Sequence, residues 1–112
     1  MKFWDSSAVL PLIVEEASSD AMRKLFTKED HLILWWGTEI ECVAALARKE
    51  REGRLTSVQI SCARRELKEI FYDAIEIHPS QKIKSVAERL LRTHPLHSAD
   101  SLQLAAALVF SG

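Results

Sequence analysis

Three short runs rich in aromatic and β-branched residues, each followed by a stretch of helical periodicity, constrain this chain more than any other feature. The runs are "KFW" at Lys2 to Trp4, "LILWW" at Leu32 to Trp36 and "AIEIH" at Ala74 to His78. They read as strands, and strands alternating with helices predict an α/β fold with a mostly parallel sheet flanked by helices in three layers. With 112 residues, 47% of them hydrophobic and only 3 Gly and 3 Pro, the chain is one domain, 1–112, with a single packed core. No internal repeat is visible.

The helical stretches carry their own punctuation. "SSAVLPLIV" follows the first run, with Pro11 placed in a first turn, and "SSDAMRKLF" opens at Ser18 or Ser19 as N-cap with Ala21, Met22, Leu25 and Phe26 as its apolar side. In "TEIECVAALARKEREG", Ile40, Val43, Ala44 and Ala47 repeat at helical spacing and Gly53 supplies the stop. "TSVQISCARRELKEIF" offers Val58, Cys62, Leu67 and Phe71, and "SQKIKSVAERLLR" offers Ile83, Val86, Ala87, Leu90 and Leu91. The final stretch, Ser101 to Phe110, is apolar almost all round, a pattern expected of a helix covered on several sides.

Charge and cysteine usage narrow the function classes. A formal net charge of −1 gives no whole-molecule attraction to nucleic acid or to an anionic membrane. The two cysteines, Cys42 and Cys62, lack zinc-type spacing and are expected to be small buried hydrophobes in a reducing compartment. No apolar run reaches the ~18 residues of a membrane span, so a cytoplasmic protein without membrane contact is expected.

Candidate chemistry lies in the acids. In an open α/β sheet, ligands bind beyond the carboxyl ends of the strands. Asp5 directly follows the first run, Glu41 lies one turn into the helix after the second, and Asp100 opens the last apolar helix. Each also has an ordinary explanation. Asp5 and Asp100 suit helix N-termini, and Thr38-x-x-Glu41 fits a capping box. Taken together, three carboxylates in one crevice repel unless a cation intervenes, and hard oxygen donors without nearby Cys or His favour Mg²⁺ or Mn²⁺. Such a site can activate water and neutralise charge on a phosphate.

In "FWDSSAVLPLIVEE", "TEIECVAALARKEREG" and "HSADSLQLAAAL" the chain resembles the PIN domains, and among them the VapC-type toxins of toxin–antitoxin pairs. The motifs stand in the family's order and near its spacing, across almost the whole chain. The resemblance implies a Mg²⁺- or Mn²⁺-dependent endoribonuclease in which Asp5, Glu41 and Asp100 hold the metal and the Ser6 hydroxyl assists. It also implies a cognate antitoxin and an RNA substrate, and the apolar last helix adds the expectation of a homodimer. Glu39 matches no family acid and is expected to face solvent or support a cap. The family usually continues into another strand bearing a fourth acid, whereas this sequence stops at Gly112; the expectation is a shortened form, weak in activity, or one completed by a partner subunit.

Other residues carry less. Arg48 lies seven residues after Glu41, on the same helix face, and is the candidate RNA contact in a basic run interrupted by Glu50 and Glu52. His94 and His97 read as incidental loop histidines, and Trp35 and Trp36 as packing residues rather than base-stacking ones. Two rival readings stand beside the nuclease: a catalytically silent PIN-like module that binds RNA or protein, and a phosphotransferase using Asp5 as nucleophile. The latter calls for a second Asp at position 7, where the chain has Ser.

Overall fold

Alternation along the middle strand organises the molecule. The computed structural model describes residues 2–29 and 31–111. The strand β2 (Leu32–Trp35) lies between β1 (Lys2–Trp4) and β3 (Ile75–Ile77), paired in parallel with both, Phe3 opposite Ile33 and Leu34 opposite Glu76. Successive side chains of a strand point to opposite faces, and a parallel sheet is covered on both, so all four residues of β2 are buried. Leu32 and Leu34 enter one core with Trp4; Trp35 enters the other, against which Phe3 and Ile77 pack.

The first core is closed by α1 (Ser6–Ile13), α3 (Thr38–Arg51) and α4 (Ser57–Asp73), through Val9, Ile13, Cys42, Leu46, Ala63 and Leu67. The second is closed by α5 (Gln81–Thr93) and α6 (Ser98–Ser111), through Ile83, Ala87, Ala105 and Ala106. The helix α2 (Ser19–Thr27) lies outside this sandwich against α1. Six helices thus flank a three-stranded parallel sheet among the described residues, the three-layer α/β arrangement expected from the sequence.

Several local expectations need correction. Pro11 is the sixth residue of α1, not part of a first turn; it leaves the Ser7 carbonyl without its N–H partner, and the full burial of its ring in the core offsets that loss. Ser18 is the N-cap of α2 but makes no side-chain cap bond, and Ser19 is the structural serine. Its buried hydroxyl donates to the Val14 carbonyl (3.1 Å) and accepts from the Glu16 N–H (2.8 Å), closing the turn between α1 and α2. On α2, Leu25 and Phe26 stay exposed, as does Leu91 on α5.

The helix α3 turns a different face inward from the one its apolar periodicity suggested. Thr38, Cys42 and Leu46 are buried at i, i+4, i+8, while Ile40 is 65% exposed and Ala44 faces solvent. On α4 the core residues are Ala63 and Leu67; Val58 is 71% exposed and Cys62 is exposed, so only one of the two cysteines is a buried hydrophobe. Gly53 does end α3, at φ +72°, a left-handed conformation that glycine adopts without a Cβ penalty.

Candidate active site

Each candidate acid is set in place by a different element. Asp5 follows β1 and is the N-cap of α1: its Oδ1 accepts from the Ala8 N–H at 3.0 Å and from the Ser7 hydroxyl at 2.7 Å. The ordinary explanation of Asp5 as a cap therefore holds, and the cap fixes one carboxylate oxygen. Ser6, beside it, is half-buried, and it is Ser7 that touches the acid.

Glu41 is not in a capping box. The Trp36 N–H donates to the Ile77 carbonyl at 2.9 Å, extending the sheet pairing past the end of β2, and the N-cap of α3 is Gly37. Gly37 is required there, because a Cβ on it would stand 2.6 Å from the indole nitrogen of buried Trp35. Thr38 is therefore already helical and fully buried, and its hydroxyl donates to Gln103 Oε1 over a long 3.5 Å. Glu41 Oε2 instead accepts a hydrogen bond at 2.5 Å from Gln103 Nε2.

Asp100 lies exposed in the first turn of α6, where the helix dipole favours an acid. Gln103, three residues on and so on the same side of α6, is only 7% exposed. It is the residue that the sequence reading missed. Its signal is a lone amide in "LQLAAAL", one polar side chain on a helix otherwise built to be covered.

The acids feel one another. Burial first, then the charges of Asp100 and Asp5, push the Glu41 carboxyl above its ordinary value, while the Gln103 hydrogen bond pulls it back. Asp5, Asp100 and Gln103 line one cavity of about 640 Å³ along β1, between α2 and α6, with Leu25 and Leu104 on its walls; Glu41 does not line it and is linked to it through Gln103. Among the described residues no group of three His, Cys, Asp or Glu side chains is gathered tightly enough to hold a metal ion as they stand. The donors nonetheless suit Mg²⁺ or Mn²⁺. They are hard carboxylate oxygens, and side-chain hydrogen bonds among the described residues engage one oxygen of Asp5, one of Glu41 and none of Asp100. Mg²⁺ commonly keeps several waters and takes only one or two carboxylates directly.

The remaining candidates separate. Arg48 is exposed on α3, whereas its neighbour Lys49 pairs with Glu16 at 3.7 Å and Arg54 with Glu52 at 3.6 Å, so part of the basic run is neutralised. Glu39 does not simply face solvent: it pairs with Lys68 at 2.6 Å and ties α3 to α4. His94 and His97 are exposed. Trp35 is core, but Trp36 is 48% exposed with its ring at 73° to that of Trp35, so only the first of the pair is a packing residue throughout.

No protein-family model and no curated protein matches the chain. Among solved structures it is similar to VapC20 of Mycobacterium tuberculosis, a toxin that cleaves the sarcin-ricin loop. The TM-score is 0.73 over 94% of this chain and 79% of that one, at 15% sequence identity. The fold is thus that of a VapC-type PIN domain, as the three sequence motifs implied. No helix among the described residues is long and apolar enough to cross a membrane.

Proposed function

We propose that this protein is a PIN-type endoribonuclease toxin that cleaves RNA phosphodiester bonds with a divalent cation, Mg²⁺ or Mn²⁺, held by Asp5, Glu41 and Asp100. The observation that carries the reading is the Gln103–Glu41 hydrogen bond, which ties Glu41 to the cavity that Gln103 lines together with Asp5 and Asp100. Mutually repelling carboxylates cost stability, and a bound cation turns that cost into binding.

When bound, such an ion supplies Lewis acidity and a more acidic water. The chain's own residues do the rest. The N-terminus of α1 holds Asp5 by Oδ1, which leaves its second oxygen to serve the ion. Glu41, half-buried, offers the oxygen that Gln103 does not occupy. Asp100 stands at the mouth, where an RNA backbone arrives. In this reading the half-buried Ser6, the first residue of α1, assists through its hydroxyl, and exposed Arg48 contacts an RNA phosphate farther along α3. A cognate antitoxin is the proposed protein partner, since the three sequence motifs resemble those of toxins from such pairs.

The acids as they stand are not gathered into a ready metal shell, and that observation favours a second reading, a PIN-like module that binds RNA or protein without cutting. One experiment separates the two. The protein is incubated with total RNA and with a hairpin carrying the sarcin-ricin loop, the target of VapC20, in Mg²⁺, in Mn²⁺ and in EDTA, beside Asp100→Asn. Cleavage that needs the cation and Asp100 supports the nuclease. Cleavage that survives EDTA and the substitution overturns it, and retention of RNA without cleavage selects the binding module.

A further inference from the structure

The geometry points to Gln103 as a positioning residue, whose amide lines the cavity with Asp5 and Asp100, holds the Glu41 carboxylate beside it and thereby sets the affinity for a divalent cation. The inference rests on the metal-site reading above and adds to it a residue that is not itself an acid.

A nearly buried amide on a helix whose Ala105 and Ala106 are core residues is costly unless its polar atoms are satisfied. Gln103 satisfies both ends, and the two partners differ in kind. Ionised Glu41 can only accept, so it takes the Nε2 end, at 2.5 Å; the Thr38 hydroxyl can donate, so it takes Oε1, at 3.5 Å. The amide therefore has one orientation. Both partners lie on α3, one turn apart, while Gln103 shares α6 with Asp100. A single side chain thus couples the helix carrying Glu41 to the helix carrying Asp100. Apolar residues of similar size would fill the same space, yet none would choose between the carboxylate's oxygens or fix its plane.

Groups that orient metal ligands typically change metal affinity by 10–100-fold when removed. The test is Mn²⁺ binding to the full 112-residue chain, followed by the loss of the free-ion EPR signal, without RNA. Gln103→Met keeps volume and removes both hydrogen bonds; we expect the Mn²⁺ dissociation constant to rise about tenfold while the far-UV circular dichroism is retained. In a Glu41→Ala chain the same substitution should change the residual affinity less than about twofold, because Gln103 would have nothing left to orient. Thr38→Val, which frees the amide to turn, should weaken binding about threefold and carries the test if Gln103→Met does not fold. Wild-type affinity in the folded variants, or equal weakening with and without Glu41, overturns the inference and leaves the metal site standing. A wild-type chain that binds no Mn²⁺ overturns both.

Discussion

The Ser7 hydroxyl and Asp5 share a 2.7 Å hydrogen bond at the point where β1 becomes α1. With the Ala8 N–H it engages one Asp5 oxygen, so this residue has a structural duty separable from its charge. Asn also caps helices well. Asp5→Asn should therefore melt within about 2 °C of the parent while RNA cleavage falls at least ~100-fold, because only the charge is lost. Asp5→Ala should lose cleavage and in addition ~0.5–2 kcal/mol of stability, read from urea titrations. An active Asp5→Asn protein would remove Asp5 from the proposed metal set.

Glu41 gives the metal-free protein an unusual pH dependence. Its carboxyl is raised in the folded state above the ordinary 4.5, chiefly by burial and then by Asp100. The ionised form is therefore disfavoured by folding, and its cost is full above the folded value. That cost is relieved as pH falls through it and is absent below the unfolded one. Asp100→Asn removes one of the repelling charges. In EDTA at pH 7 we expect it to raise the melting temperature by about 1–3 °C, and the gain should shrink as the pH approaches 4. Mg²⁺ should stabilise the parent more than the variant. A variant that melts lower than its parent at pH 7, with its fold intact, would contradict the repulsion.

The two cysteines should differ sharply in reactivity. Burial, with the nearby acids Glu41, Glu39 and Asp5 adding to it, pushes the Cys42 thiol up to about 12, whereas Cys62 is exposed on α4. The thiolate is the reactive form. A maleimide at pH 7.5 should modify one thiol per chain within minutes, at Cys62 by peptide mapping, and reach Cys42 only in denaturant. Rapid double labelling of folded protein would mean that the α3 core opens readily.

What was legible in the sequence followed from period and position. Strand alternation is strict, so "LILW" sorts itself between two cores, and Asp5 and Asp100 follow from their places beside β1 and at the start of α6. The inward face of α3 was harder to read. Val43, Ala44 and Ala47 are too small to mark a side, and Ile40 drew the stripe toward solvent, while the buried face includes Thr38 and Cys42. Glu41 looked like half of a capping box because local pattern cannot show that Gly37, pressed against Trp35, begins the helix one residue earlier. The partner that Glu41 does take lies 62 residues away on α6, a distance no periodic pattern spans.

The last helix supplies the remaining prediction. Gln103 and its small neighbours face inward, but Leu104, Leu108 and Phe110 are 42%, 48% and 48% exposed, so the apolar outer side expected to be covered is open among the described residues. Leu104 and Leu108 lie at i, i+4 on one face, and across the cavity from Leu104 stands Leu25 of α2, itself 43% exposed. Contiguous apolar surface of this kind marks an interaction face, and self-association is its usual outcome in isolation. Sedimentation equilibrium should show concentration-dependent dimers at micromolar protein. Leu108→Glu should shift the equilibrium at least ~10-fold toward monomer, since it buries a charge in any interface formed there. That variant should retain Mn²⁺ binding, because Leu108 lies two turns beyond Asp100, away from the acids. A parent chain that sediments as a monomer at high micromolar concentration would count against the homodimer and leave this face for a different protein, such as the antitoxin.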